Sequence, residues 1–370
     1  MAEKSDQRAS EALLVTPAPH VGIRSSSARK SWLVAASLLP AAAWGVMLFG
    51  VPALLVLIVS IGASLVSEVL SSLLFRRFTL NDGSAFLTGL LVGLLMPSGV
   101  PLYVPAAASA FAILVVKQSF GGLGRNWMNP AMAGVLFAML SWSGAMSNWG
   151  AAQGILGNVT SLPPLEALRA ALAAPEVTGR APLAVLAGAG YRFSNGDASI
   201  IAWINSRLLA PLGAALQPGS FDVLVGHVSG RIGEISAPLL LLGAGFLLHR
   251  RIVRWQVPVS YLASFLMLAW IFGGLGAGRG WLAGGPVFHV LSGSLILGAF
   301  FIASDPVTSP LSEKGRWIYG LELGALTFFM RYFGTLGDGV AVSIVLANCT
   351  VPLLDRWLQH REAAPLREAS

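Results

Sequence analysis

The feature that most constrains this chain is a series of long apolar stretches separated by short polar segments. The stretches recur from Trp32 almost to the end of the 370 residues, and about 20 apolar residues are enough to cross a bilayer as a helix. Only 11% of the residues are charged, whereas a soluble domain carries about 25%. The sequence therefore predicts an all-α polytopic membrane protein whose main solvent is lipid.

About ten transmembrane helices are predicted from these stretches. They cover residues 32–49, 52–75, 84–97, 102–119, 128–147, 235–249, 256–273, 284–303, 316–332 and 338–355. The third stretch is short and ends in Met96-Pro97-Ser98-Gly99, and the eighth is interrupted by glycines and ends in Ser304-Asp305-Pro306. Interrupted membrane helices of this kind often surround a site at mid-membrane depth.

The lysines and arginines predict the orientation, because cytoplasmic loops carry an excess of both. With the N-terminus inside, the inner clusters are Arg24, Arg29, Lys30, Arg76, Arg77, Lys117, Arg125, Arg250, Arg251, Arg254, Lys314, Arg316, Arg356 and Arg361. The short outer loops hold only Arg279 and Arg331. We therefore expect a multi-pass protein of a bacterial inner (plasma) membrane with both termini cytoplasmic. The net charge is +7, but the basic residues lie in small clusters between the apolar stretches, so we expect no nucleic-acid partner.

The predicted organisation has two halves. We expect a disordered cytoplasmic tail at 1–30, a five-helix repeat at 31–147, an outer (periplasmic) loop at 148–234, a second five-helix repeat at 235–356 and a cytoplasmic tail at 357–370. The sequence FGGLG at 120–124 precedes the fifth span, and FGTLG at 333–337 precedes the tenth. Five spans separate these echoes, so they lie on opposite membrane sides, as inverted-topology repeats would place them.

Several sequence stretches, in order along the chain, resemble one known family. They are DGSAFLTGLLVGLLMP at 82–97, FGGLGRNWMNPAMAG at 120–134, GHVSGRIGEIS at 226–236 and FHVLSGSLILGAFFIASDPVTSP at 288–310, followed by GDGVAVSIVLANCTVPLLD at 337–355. They resemble the D subunit of the Rnf ion-translocating electron-transport complex. They are also similar to the B subunit of the sodium-pumping NADH:quinone reductase.

This resemblance implies two inverted five-helix repeats, a fold shared distantly with urea transporters. It also implies a place in a complex with other membrane and iron–sulfur subunits. Such complexes couple electron transfer from ferredoxin or NADH to sodium or proton movement. The family's D-type subunit carries one FMN attached covalently to an outer threonine. A second flavin, riboflavin or FMN, is held non-covalently within the membrane.

The covalent attachment motif is where this sequence departs from the family. The family motif resembles D-x-x-[ST]-[SG]-A-T, followed by Pro-Leu, and its last threonine accepts FMN. The best match is the segment 159–165, which places Pro163 at the acceptor and Gly157 at the aspartate. Because proline has no hydroxyl, we expect no covalent FMN; Thr160 and Ser161 are the fallback acceptors, at the wrong offset.

Asn126 and Asn129 lie in the sequence RNWMNP at the predicted cytoplasmic start of the fifth span. Amides at such a helix end can cap backbone groups or hydrogen-bond a polar ring. The resemblance places the non-covalent flavin near this asparagine pair. Both interpretations, capping and flavin contact, stay open at this point.

Asp305, Thr308 and Ser309 follow the interrupted eighth span in the sequence SDPVTSP. A carboxylate with two hydroxyls beside a helix break could contact a cation or a flavin. The alternative is helix termination by Asp-Pro with hydroxyl caps. Asp338 and Asp82 each begin an Asp-Gly pair within a family-like stretch. A simple turn explains either aspartate as well as a functional role does.

Ionisable residues at predicted membrane depth are functional candidates, because burying charge in lipid is costly. Glu68, His289 and Glu322 are in this group, and Glu322 is the best placed for an ion path. A salt bridge to a neighbouring helix or subunit explains Glu322 equally well. The single cysteine, Cys349, is interpreted as a small buried hydrophobe.

The sequence contains no P-loop, Rossmann fingerprint, zinc-ligand spacing or CxxC, so no catalytic residue or metal site is predicted and electrons must come from partners. The leading hypothesis is an integral membrane subunit of an Rnf-type ion-translocating oxidoreductase. It would carry electrons through a non-covalent flavin and help form the ion path. The alternatives are a channel or transporter of the same fold without redox activity, which the missing threonine favours, or a scaffold that anchors other redox subunits.

Overall fold

The computed structural model describes residues 27–75, 80–150, 153–154, 157–158, 160, 162–172, 181–212, 215–276 and 278–368. Within these ranges the regular secondary structure is almost entirely helical, which confirms the predicted all-α class. Most of the predicted N-terminal tail, residues 1–26, lies outside the described residues, as does Ser161.

The described part of the first half of the bundle contains six helices. They are α1 (Ser27–Phe49), α2 (Val51–Phe75), α3 (Ser84–Leu94), α4 (Tyr103–Phe111), α5 (Pro130–Ser141) and α6 (Ser143–Met146), with a 3₁₀ turn at Leu80–Asp82 and a π-helical continuation of α4 at Ala112–Gln118. Gly50 separates α1 from α2 with a positive φ of 69°, the backbone conformation that commonly ends a helix. The third predicted span is helical only to Leu94, so a non-helical segment follows it.

The region between the halves is folded rather than extended. It contains the strands β1 (Gln153–Gly154) and β2 (Gly157–Asn158), paired antiparallel, and the helices α7 (Pro164–Leu172), α8 (Pro182–Gly188), α9 (Asn195–Ile204, with a π-helical segment Asn205–Leu209 and a 3₁₀ turn Ala210–Leu212) and α10 (Ser220–Val225). The Asp197 carboxylate accepts hydrogen bonds from the backbone N–H groups of Gly219, Phe221 and Asp222, at 2.6, 3.0 and 3.1 Å. This carboxylate therefore joins α9 to α10.

The second half also contains six helices. They are α11 (Ala237–His249), α12 (Gln256–Phe272), α13 (Pro286–Leu291), α14 (Leu295–Leu297, continued by a π-helical segment Gly298–Ile302), α15 (Glu313–Phe333) and α16 (Val340–Glu368). The interruption predicted in the eighth span is present, because Ser292 is extended and Gly293 has a φ of 81°. Helix α16 continues through most of the predicted tail at 357–370.

Three described helices are long and apolar enough to cross a membrane alone: Ser27–Phe49, Val51–Leu74 and Val340–Leu358. Shorter apolar helices are Ser84–Leu94, Tyr103–Gln118, Pro130–Ser141, Ala237–His249 and Gln256–Phe272. This pattern agrees with a polytopic membrane protein that contains discontinuous helices. The number of spans and their inverted repetition stay predictions.

Small residues allow the helices to approach closely. In the second half, α12 packs along α15, and a methyl group at Gly324 would lie only 2.6 Å from Ser264 Cβ. Gly320, one turn earlier, faces Ser260 in the same way. This is the small-residue packing that membrane helices use, since lipid supplies no hydrophobic drive for their association. The contacts of α1 with α11 and of α5 with α16 join the two halves.

Two assignments from the sequence are wrong in the structure. Arg331, placed in an outer loop, is only 2% exposed. Cys349 is exposed on α16, because the apolar sequence around it forms a helix whose outward side faces the surroundings of the bundle. In each case, burial depends on which side of a helix meets its neighbours.

Candidate functional site

A cavity with about 710 Å³ of space, including the part open to the surroundings, lies where α3, the start of α5 and the segment after the π-helical Gly298–Ile302 meet. It is called the inner cavity here because its residues are on the side predicted to be cytoplasmic. Its lining includes Asn126, Asn129 and Asp305, three of the residues singled out in the sequence. Apolar side chains, Leu87, Leu91, Leu123, Val253 and Phe301 among them, form much of the remaining wall. The fold therefore brings the asparagine pair and the Asp-Pro turn together.

Asn129 has a structural role at this cavity. It is the N-cap of α5, and its Oδ1 accepts hydrogen bonds from the backbone N–H groups of Ala131 (3.0 Å) and Met132 (3.3 Å). Pro130 follows at the first helical position, where its missing N–H costs nothing. The capping interpretation is confirmed for Asn129.

Asn126 differs from its neighbour. It is only 6% exposed, and its Oδ1 has no hydrogen-bond partner among the described residues. Gly121, Gly122 and Gly124 precede it in left-handed backbone conformations, so the chain turns sharply before it enters α5. A buried amide oxygen without a partner costs free energy, and a ligand in the cavity could supply the missing donor.

Asp305 lies in the turn that ends the interrupted eighth span. Its carboxylate accepts hydrogen bonds from Val307 N (3.3 Å) and, weakly, from Thr308 Oγ1 (3.4 Å). The backbone N–H of Ser309 donates to the Asp305 carbonyl at 3.1 Å. Burial raises the pKa of Asp305 to about 6. Thr308 and Ser309 thus brace the turn, and Asp305 with Ser304 lines the cavity.

Sequence reasoning missed one feature of this cavity, a buried ion pair on its wall. Lys117 Nζ lies 2.8 Å from Glu68 Oε1 and donates to Ser84 Oγ at 2.6 Å. Ser84 in turn donates to Asp82 through its hydroxyl (2.5 Å) and its backbone N–H (2.8 Å). The signal available was the position of Lys117 inside the fourth predicted span rather than in a loop.

A second polar site, the outer charge cluster, consists of Glu166, Arg169, Arg231, Glu234, Arg331 and Asp338. Arg231 Nη1 contacts Asp338 Oδ1 at 2.9 Å and Glu234 Oε2 at 3.3 Å. The other Asp338 oxygen accepts from the backbone N–H (2.7 Å) and the hydroxyl (2.5 Å) of Ser294. Burial raises the pKa of Glu234 to about 7, although Arg231 beside it favours the ionised form.

The two remaining arginines extend the cluster between elements. Arg331 donates through Nε to the Asp338 carbonyl at 3.0 Å and through Nη1 to the carbonyls of Ser292 (3.2 Å) and His289. Arg169 of α7 donates to the carbonyls of Arg331 and Gly337, each at 2.6 Å. The cluster therefore ties α7, the segment before α11, the break after α13 and the α15–α16 turn to one another.

Pro163 lies beside the outer charge cluster. It lines a cavity of about 450 Å³ together with Glu166, Arg231 and Asp338, and its carbonyl accepts from Ala167 N at 2.9 Å as α7 begins. The fallback Thr160 uses its hydroxyl to accept from Arg192 N at 2.9 Å. Position 163 offers no hydroxyl to which FMN could be attached.

Glu322 lies on α15, half-buried, and accepts a hydrogen bond from Thr350 Oγ1 of α16 at 2.8 Å. It does not line the inner cavity. The structure therefore separates the proposed ion-path residue from the flavin candidates. Among the described residues, no group of three His, Cys, Asp or Glu side chains could hold a metal ion.

The inner cavity and the outer charge cluster lie at opposite ends of α11. Glu234 precedes this helix, and Ile252 and Val253, which line the inner cavity, follow it. The 13 residues of α11 span about 20 Å at 1.5 Å per residue. The two polar sites are thus on opposite sides of the bundle.

Comparison with known proteins identifies the family. The profile of the NQR2, RnfD, RnfE family matches residues 14–364. The D subunit of the proton-translocating ferredoxin:NAD(+) oxidoreductase complex of Clostridium ljungdahlii is 37% identical over 348 residues, covering 93% of this chain and 94% of that protein.

Two further relatives are matched over a similar share of both chains. The D subunit of the Na(+)-translocating ferredoxin:NAD(+) oxidoreductase complex of Acetobacterium woodii is 33% identical, covering 94% of both chains. The D subunit of the ion-translocating oxidoreductase complex of Stutzerimonas stutzeri is 36% identical, covering 92% of both. The resemblance seen in the sequence motifs is confirmed, and the chain belongs to the NQR2, RnfD, RnfE family.

Proposed function

We propose that this chain is the D-type membrane subunit of an ion-translocating oxidoreductase complex and that its inner cavity binds a non-covalent flavin, riboflavin or FMN. The observation that carries the proposal is the meeting of Asn126, Asn129 and Asp305 at one cavity, in a chain similar to complex subunits over more than 90% of its length. When bound, a flavin would supply one- and two-electron chemistry that amino-acid side chains lack.

The cavity has the chemistry to accept such a ligand. Leu91 and Phe301 offer apolar surface for a planar ring, and Asn126 Oδ1 needs a donor. Asp305 can accept hydrogen bonds from hydroxyl groups, so the polar and apolar parts of a flavin both find partners.

The complex must supply what this chain lacks. The relatives' names specify ferredoxin and NAD(+) as redox partners and protons or Na(+) as translocated ions, and we infer the same classes here. Iron–sulfur and further membrane subunits would deliver electrons to the inner cavity, in a bacterial inner membrane with both termini cytoplasmic. Glu322, an ionisable group at predicted membrane depth, remains the proposed ion-path residue.

Flavin release tests this proposal directly. The protein is purified in mild detergent, its visible absorbance is recorded, and acid denaturation then separates polypeptide from supernatant. We expect flavin in the supernatant and none on the chain. Asn126→Ala removes a hydrogen bond to the ligand and no described bond within the protein, so flavin affinity should fall roughly tenfold.

The matched control is Asn195→Ala, which changes an exposed asparagine remote in sequence from the cavity and should retain the flavin. Fluorescence that stays on the polypeptide would contradict the loss of covalent attachment and direct attention to Thr160 or Ser161. If neither fraction contains flavin, and added riboflavin and FMN do not bind, the channel, transporter or scaffold alternatives replace the redox proposal.

A further inference from the structure

The outer face contains a larger cavity that neither the flavin proposal nor the outer charge cluster explains. This outer cavity has about 950 Å³ of space and lies between α7, α8 and the ends of α12, α13 and α15. One wall is apolar, with Leu165, Leu168 and Val185 among its residues, and the other carries arginine, histidine and tyrosine side chains. It is therefore shaped for a ligand with an apolar part and a polar part.

Three residues that line the polar wall carry a buried atom without a hydrogen-bond partner among the described residues. They are His289 (Nδ1), Arg331 (Nη2) and Tyr332 (the hydroxyl). His289 is 6% exposed and Arg331 2% exposed, and the rings of His289 and Tyr332 are 5.0 Å apart. Buried polar atoms are normally satisfied, so these three unpartnered atoms are available to a ligand in the cavity.

The charge on the polar wall identifies the class of ligand. Arg169, Arg279 and Arg331 line the cavity, and no carboxylate does so among the described residues. Arg169 is paired with Glu166 at 3.2 Å, and Arg331 Nη2 lies 3.8 Å from Asp338 Oδ2. Arg279 forms no ion pair with any described residue. Arginine and tyrosine donors around a site without acids favour an oxyanion.

We propose that the outer cavity binds a phosphate oxyanion. The apolar wall beside the donors favours a phospholipid whose phosphate contacts Arg331, Arg279 and Tyr332 while an acyl chain lies along Leu165 and Leu168. Free phosphate would offer the same oxygen atoms as the phospholipid headgroup but would leave the apolar wall uncovered. This site is independent of the flavin site, which lies at the other end of the bundle.

Thermal unfolding with three probes tests the proposal. The purified protein is titrated with dihexanoyl phosphatidylglycerol, with inorganic phosphate and with dihexanoylglycerol, which has acyl chains but no phosphate. A ligand that binds the folded state raises the unfolding midpoint with concentration. We expect saturable stabilisation by the phosphatidylglycerol and none by dihexanoylglycerol; equal stabilisation by inorganic phosphate would support the oxyanion site with free phosphate as the source.

Variants locate the effect. Tyr332→Phe removes a hydroxyl with no partner among the described residues, and Arg279→Gln removes a cation that pairs with none of them, so neither should impair folding. Each should weaken phosphatidylglycerol binding at least about fivefold. Arg192→Gln, which changes an exposed arginine on the same side, and Tyr103→Phe should bind as the unmodified protein does. The proposal would be overturned, whatever the flavin content, if neither phosphate probe bound or if both test variants bound as tightly as the unmodified protein.

Discussion

The two ends of α11 carry polar sites of opposite character. In the outer charge cluster, Arg231 and Asp338 form a buried ion pair that holds several elements together. At the inner cavity, Asn126 is buried with no described partner for its oxygen, and Asp305 is held by hydrogen bonds from its own turn. Groups that are saturated by protein contacts stabilise the fold, whereas groups left unsatisfied are available to a ligand. The comparison thus gives the Arg231–Asp338 pair a structural role and leaves the Asn126 oxygen available for the proposed ligand.

The largest effect is expected from Asp338→Asn. This variant leaves Arg231 and Arg331 buried with one charge partner fewer, and breaking a buried pair costs about 3–5 kcal/mol. The midpoint of thermal unfolding in detergent should fall by several degrees. Glu166→Gln is the control: its pair with Arg169 is about 30% exposed, and such pairs contribute about 0–1 kcal/mol. Equal shifts for the two variants would show that the outer cluster is not a structural centre.

The second prediction tests whether the inner side has a structural pair of its own. Glu68→Gln leaves Lys117 buried with Ser84 as a remaining acceptor, so we expect a loss of about 3 kcal/mol. The double variant Glu68→Gln with Lys117→Met removes both charges and should recover part of that loss, because apolar replacement of a buried pair is often tolerated. A double variant less stable than the single one, measured by the same unfolding midpoint, would contradict this.

The sequence predicted the fold class well because membrane spans have a strong local signal. The apolar runs, the break at Gly293 and the Asn129-Pro130 helix start are all local patterns, and each is present in the structure. Asn126 and Asp305 meet at the inner cavity only through tertiary packing, which no local pattern could show. Ion pairs between distant segments were invisible for the same reason: Arg231 and Asp338 are 107 residues apart, so only tertiary packing pairs them.

One error came from the assumption that an arginine near the end of a span lies in a loop. Lys117 and Arg331 both lie near span ends, yet each is buried because a neighbouring helix or loop supplies a carboxylate. Positive charge in loops predicts orientation only statistically. A basic residue that falls inside the apolar run, as Lys117 does, is better interpreted as one half of a buried pair.

The third prediction separates the two asparagines of the inner cavity. Asn129→Ala removes two hydrogen bonds to the start of α5, and loss of an N-cap costs about 0.5–2 kcal/mol. Asn126→Ala removes no described bond and should change stability by less than about 0.5 kcal/mol, while it weakens flavin binding. Unfolding midpoints of flavin-free protein measure the difference. An equal loss for both variants would mean that Asn126 also supports the fold.

The smallest expected effect is the pH dependence of stability that Asp305 contributes. Burial raises its pKa from 3.8 to about 6, so the folded protein holds this proton more tightly than the unfolded chain does. As the pH rises from about 4 to 6, the unfolded chain ionises first, and the folded state loses stability relative to it. Asp305→Asn cannot ionise. The difference in thermal-unfolding midpoint, variant minus unmodified protein, should therefore rise through this window and stay constant above about pH 7.

The size of that change should be below about 1 kcal/mol, because Asp305 is partly exposed and water screens its charge. Unfolding midpoints at about pH 4.5, 5.5, 6.5 and 7.5 measure it, and the Asn195→Ala variant should follow the unmodified protein at every pH. If the Asp305→Asn curve is parallel to both, this carboxylate is fully hydrated. The contrast between the inner cavity and the buried Arg231–Asp338 pair would then rest on Asn126 alone.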